Sequence, residues 1–173
     1  MTTTYDLIGE DTTPAGLLIA AGRKIGVKSI LNSNPHPLML ALANKHAVEQ
    51  ADVCVQSHNG FDSRAADVMR QFPGSEVSEI VAESWKGQTD VESADDAYKC
   101  WRQSTGHWEA CNSPHTWYGY GMARGNNGVW YSCGIFANCV NNEPGPDTPP
   151  TPTPTPTPKP KPCRWWRRLL GLC

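Results

Sequence analysis

Two histidines in this chain stand where the backbone would present an imidazole for chemistry. His107 closes the stretch Trp101-Arg102-Gln103-Ser104-Thr105-Gly106-His107. Ahead of it Ala94, Ala97, Tyr98 and Trp101 recur at helical spacing, and Ser93 with Asp96 three residues on resembles a capping box, so a helix is expected from about Ser93. Gly106 would end that helix through a left-handed cap, leaving His107 to project from a bend, poised for proton transfer or metal. His58 is placed by a different pattern. From Leu38 to about Ser57 the small and apolar positions Met39, Ala43, Ala47, Ala51 and Cys54 recur every three or four residues, with Lys45, Glu49 and Asp52 falling elsewhere. Extending the stripe by four reaches His58, at the helix end on its core-facing side, before an Asn59-Gly60 turn. The other histidines carry blander expectations: His36 between two prolines and His115 after Pro114 read as surface residues, and His46 as a surface or half-buried helix residue.

The remaining elements must position these rings. Thr13-Pro14 reads as an N-cap followed by proline at the first helical position, and residues 32–37 as turn chemistry. Asp62 to Met69 suggests a short helix, and Glu76 to Ala82 alternates as a short strand would, with Val77, Glu79 and Val81 on one face. Residues 117–123 and 129–136 are aromatic-rich runs around an Arg124-Gly125-Asn126-Asn127-Gly128 turn, which predicts a hairpin. An α+β fold of three or four helices around a small antiparallel sheet follows.

Composition divides the chain. It has 173 residues and is 39% hydrophobic, enough for one core, and that core must lie in residues 1–142 because Pro, Thr and basic residues dominate from Pro144 onward. Five of the 15 basic residues lie at or after Lys159, leaving ten before it to face 17 acidic ones. An acidic body argues against nucleic-acid binding, which needs a basic face. Seven cysteines suggest disulfides and an oxidising destination. Met1-Thr2-Thr3-Thr4-Tyr5-Asp6 shows no basic segment leading into an apolar one, so no secretory signal peptide is visible. The two observations are reconciled by a trimmed signal, an unusual export route, or delivery within a larger particle such as a phage virion.

Taken in order, these pieces resemble the CAP superfamily, named for cysteine-rich secretory proteins, antigen 5 and pathogenesis-related proteins, whose domain is also called SCP-like. Leu38 through His58 is similar to its helix ending in Cys-x-x-x-His, here Cys54-Val55-Gln56-Ser57-His58, and Val77 through Ala82 stands where the family has Gly-Glu-Asn. Trp101 through His107 resembles the Trp-x-x-Ser-x-Gly-His of the bacterial branch, and the hairpin matches the closing strands. The resemblance spans about residues 15 to 137. It implies a three-layer α-β-α sandwich with a cleft lined by His58, His107 and Glu79, able to hold zinc or another divalent cation. Ser78 and Ile80 replace the glycine and asparagine around Glu79, and Ser104 stands where many eukaryotic members have a second glutamate. A hydrolase would use Glu79 or a histidine as base, with Ser104 as a candidate nucleophile. At the family's helix position Cys54 could pair with Cys133, and Cys100 with Cys111 is a further option.

Residues 143–162 repeat Thr-Pro and then Lys-Pro, which removes every second amide hydrogen and favours an extended polyproline-II arm. At about 3.1 Å per residue such an arm reaches roughly 60 Å. Its tip, residues 163–173, sets Arg164, Trp165, Trp166, Arg167, Arg168, Leu169 and Leu170 between Cys163 and Cys173, whose bridge would close a ring worth about 3 kcal/mol against the open chain. Arginine with tryptophan is the composition of docking hot spots and of membrane-surface peptides. The leading expectation is a CAP-like binding or accessory module, extracellular or virion-associated, anchored through this tip to a protein partner in a larger assembly such as a phage tail. The alternatives are a metal-dependent hydrolase acting on a cell-envelope polymer or peptide, and a membrane-active secreted effector.

Overall fold

Proline and capping residues decide where the helices begin. In the computed structural model, which describes residues 11–139, Thr13 accepts a hydrogen bond from the Gly16 N–H at 3.1 Å and opens α1, Pro14–Lys24. A short α2, Lys28–Leu31, follows. The expected turn at residues 32–37 holds a two-residue strand β1, Asn34–Pro35, and then α3, Pro37–Val53, which His36 caps by accepting from the Leu38 N–H at 3.2 Å. Helix α4 is Phe61–Gln71, strand β2 is Glu76–Glu83, and α5 is Asp90–Arg102. The capping box of α5 is Thr89 with Glu92, one turn ahead of the Ser93–Asp96 pair, because Asp96 is engaged by Gln88 and Lys99 instead. A further helix α6, Thr105–Asn112, precedes the hairpin β3, Trp117–Arg124, and β4, Trp130–Asn138.

The sheet runs β1-β3-β4-β2. It is mixed, because β1 pairs parallel with β3, and only the other pairings are antiparallel as expected. Alternation along β2 separates two cores: Ile80 and Ala82 face the helices α1, α2, α5 and α6, while Val81 faces α3 and α4. Trp101, fully buried in the first core, donates its indole N–H to the Val81 carbonyl at 3.0 Å and so locks α5 to β2. On the other face α3 lies directly on the sheet backbone. A Cβ at Gly119 would collide with the Met39 carbonyl carbon, and one at Gly121 with the Asn44 nitrogen. Side chains between these layers would lift the helix away.

The cysteines do not form the two pairs expected within this region. Neither Cys54–Cys133 nor Cys100–Cys111 is bonded. Cys133 lies in the core beneath α3, where burial and the neighbouring Glu79 charge push its thiol up, whereas Cys54 packs with Ala51, Val129 and Tyr131. Burial likewise pushes the Cys111 thiol up to about 12, so it is an inert apolar filler. The Pro-rich arm, the tip and the expected Cys163–Cys173 ring lie outside the described residues.

The helix-to-sheet contact gives a direct test. Gly121→Ala should cost about 1–3 kcal/mol or more, the usual penalty of overpacking against immovable backbone. Gly106→Ala, at a helical position with open space around it, should instead stabilise by up to about 1 kcal/mol. Urea midpoints of the two variants that match would contradict the close approach of α3.

Candidate functional site

The site begins where α3 stops. Cys54 takes a left-handed conformation, φ 55°, and ends the helix at Val53, so His58 lies in the following loop and not on the helix as its stripe predicted. Two residues of α3, His46 and Gln50, hold that loop one residue before His58. The Gln50 side-chain carbonyl accepts from the Ser57 N–H at 3.1 Å, and His46 Nε2 donates to the Ser57 carbonyl at 2.7 Å. His46, expected at or near the surface, is 2% exposed for this reason. A hollow of about 190 Å³ adjoins them, lined by His46, Glu49, Gln50, Val53, Ser57 and Asn59.

Glu79 stands on the α3-facing side of β2, an edge strand of the sheet, and its side chain is 1% exposed, not solvated as an isolated strand residue would be. Arg64 of α4 donates Nε to Glu79 Oε2 at 2.6 Å and Nη2 to Oε1 at 2.9 Å. His58 Nδ1 lies 3.0 Å from the same Oε1. A carboxylate only accepts, so His58 donates from Nδ1, which in the neutral ring leaves the lone pair on Nε2. Burial alone would raise the Glu79 pKa; hydrogen bonds from His58 and Arg64, with the Arg64 charge, outweigh it and hold the carboxyl below its ordinary value.

His107 reaches the same place from the other layer. The helix expected to run to Gly106 breaks at Gln103, and Ser104 restarts the chain as the N-cap of α6, accepting from the His107 N–H at 3.5 Å. Gly106 is inside α6 without positive φ, so His107 lies in a helix's first turn and not at a glycine bend. The His58 and His107 rings stand 6.1 Å apart between centroids, tilted by 34°. Burial, and then the nearby His58, lower the His107 pKa.

His58, His107 and Glu79 are therefore brought together, and Ser104 acts here as a helix cap. Both Glu79 oxygens are occupied, and among the described residues no three of His, Cys, Asp and Glu are grouped to hold an ion. His36 and His115, read as surface residues, are half-buried and lie elsewhere: His36 packs on Phe72 and Trp117, and His115 stacks on Phe136 at 4.8 Å. Reasoning from sequence missed Arg64, His46 and Gln50. The available signal was Arg64 on the same helical face as Ala65 and Val68, since a charge on an apolar stripe demands a buried partner.

The ion pair sets a pH dependence. The folded-state pKa of Glu79 lies below its unfolded value, so its stabilisation is in place above the ordinary carboxyl value of 4.5 and is lost as pH falls through the depressed folded value. Glu79→Gln should cost about 3–5 kcal/mol near neutral pH by leaving Arg64 buried alone. It should also flatten the acid limb of stability against pH. Urea titrations of both proteins between about pH 7 and 3 measure this, and parallel acid limbs would contradict it.

No family model matches the chain, and no curated protein matches it in sequence. Among solved structures it is similar to an outer surface protein from Borrelia burgdorferi, with a TM-score of 0.52 and 13% identity over 70% of this chain and 86% of that one. At that identity the likeness is one of fold.

Proposed function

We propose that residues 11–139 form a CAP-like α-β-α sandwich working outside the cytoplasm as a surface-binding module, and that its paired imidazoles hold a divalent cation. The observation that carries this reading is the approach of His58 to His107 with a buried carboxylate behind His58 Nδ1. A histidine that ligates through one nitrogen and gives the other N–H to a carboxylate is the usual support of a metal-bound imidazole. The donor set fits in a form altered from the expected one: His58 and His107 would ligate, while Glu79, engaged by Arg64, would orient His58 and leave the other positions to water or a bound group. A borderline cation such as zinc supplies a Lewis acid there and makes bound water more acidic. The name of the similar Borrelia protein favours an exposed location. No helix among the described residues is long and apolar enough to cross a membrane.

The same carboxylate behind His58 favours a second reading, hydrolysis of a cell-envelope polymer or peptide with His58 as base, because an oriented imidazole is what general-base catalysis needs. In either reading the Pro-rich arm, residues 143–162, and the tip with Trp165, Trp166 and its arginines would tether the module to a larger assembly, such as a phage tail or other extracellular particle.

Zinc titration by calorimetry tests the cation. His58→Ala and His107→Ala should each weaken binding by at least about tenfold, compared on the scale that even supporting residues reach. Binding that is absent in the parent protein, or unchanged in both variants, overturns this reading. For the tether, deletion of residues 144–173 should shift the protein from the particulate to the soluble fraction of its host. An unaltered partition would remove the tether from the account.

A further inference from the structure

We propose that Arg64 is the positioning residue of the imidazole pair, fixing the ring of His58 through Glu79 and its backbone through Asn59. This rests on the reading of His58 as a ligand or base. A guanidinium carries five N–H donors in one rigid plane. Arg64 uses three on two different elements: Nε and Nη2 on the Glu79 oxygens, at 2.6 and 2.9 Å, and Nη1 on the Asn59 carbonyl at 2.9 Å. One planar group therefore sets the distance between strand β2 and the residue that follows His58. The fork has room because Gly60 turns with φ 78°, and a Cβ there would stand 3.1 Å from Nη1. With its side chain 8% exposed, Arg64 makes these bonds largely shielded from water.

The effect on His58 comes through Glu79 Oε1, which takes both the Arg64 Nη2 and the His58 Nδ1 hydrogen bonds. Pinned at both oxygens, the carboxylate offers the ring one acceptor at one point, so Nδ1 holds the proton and Nε2 the lone pair. Released from the fork, Glu79 can rotate away, which leaves Nδ1 without its acceptor and lets the proton move to Nε2. In that tautomer the ring presents no lone pair to the cleft. Lysine does not replace the fork, because one ammonium cannot hold two carboxylate oxygens and a carbonyl in a plane.

The test reads the His58 ring nitrogens by ¹⁵N NMR at about pH 8, above the ordinary imidazole pKa of about 6.5, in chelator, and then titrates zinc. The parent protein should show a single Nδ1–H tautomer. Arg64→Lys should show a mixture of tautomers and bind zinc about 10–100-fold more weakly. A second variant, Arg64→Met with Glu79→Gln, removes both buried charges together and so protects the fold. Its amide can offer His58 either an acceptor or a donor, and it should also give a mixture. A single Nδ1–H tautomer with parent-like zinc affinity in either folded variant overturns the proposal. So does loss of folding in both, which would assign Arg64 to the fold alone. Should the parent protein bind no zinc, the cation reading fails while the tautomer measurement still decides the role of Arg64.

Discussion

Burying an arginine beside a glutamate strips both ions of water at a cost of several kcal/mol each, and attraction recovers it only when geometry is good and every remaining donor and acceptor is used. Arg64 and Glu79, with side chains 8% and 1% exposed, go far toward those conditions: three of the five guanidinium N–H groups are engaged, two by Glu79 and one by Asn59, and Glu79 accepts a further bond from His58. A well-packed apolar pair of similar volume would hold α4 to β2 as firmly. What it would lack is an ionised acceptor at the His58 ring. The buried charge is therefore best understood as fixing a ring orientation that apolar packing leaves open.

That geometry depends in turn on how closely α3 approaches the sheet. Gly119 and Gly121 let the helix backbone touch β3, and the helix residues one and two turns further on, His46 and Gln50, then reach the loop and hold both backbone groups of Ser57. A side chain at either glycine would raise α3 and carry both clamps with it. Helix packing and site geometry are in this way one constraint, and His46, buried with its Nε2 on the Ser57 carbonyl, holds the loop that carries His58.

The elements were legible where the signal was local. Proline after Thr13, the stripe along α3, the alternation at β2 and the glycine-rich turn between aromatic runs each place an element close to where the structure has it. The failures share a cause. Gly106 reads as a stop because glycine favours left-handed caps, yet the Ser104 hydroxyl restarts a helix two residues earlier, and a cap acting three residues ahead outweighs a neutral glycine. At Cys54 the reverse happens: the stripe continues to His58, but the backbone turns left-handed first, at a residue type that seldom does so. Local patterns single out His58 and His107 one at a time, and only the resemblance pairs them, since nothing in their spacing joins them. The Arg64–Glu79 pair, a contact across 15 positions between a helix and a strand, has no local signature beyond a charge on an apolar face.

The position of the pair at the sheet edge shapes what it can do. His58 hangs from the α3–α4 layer and His107 from α6, whose Cys111 belongs to the opposite core, and their rings meet beside the edge strand β2. A ligand that grips both rings bridges two layers otherwise joined through the sheet, so its binding energy adds to the stability of the folded state. Glu79 reinforces this asymmetry. It supports His58 from a fixed strand, while His107, its pKa lowered by burial, has the Ser104 cap at its backbone and no carboxylate hydrogen-bonded to its ring among the described residues. One ring thus has its orientation set by a hydrogen bond to a fixed strand, whereas the other is held through its backbone and by burial.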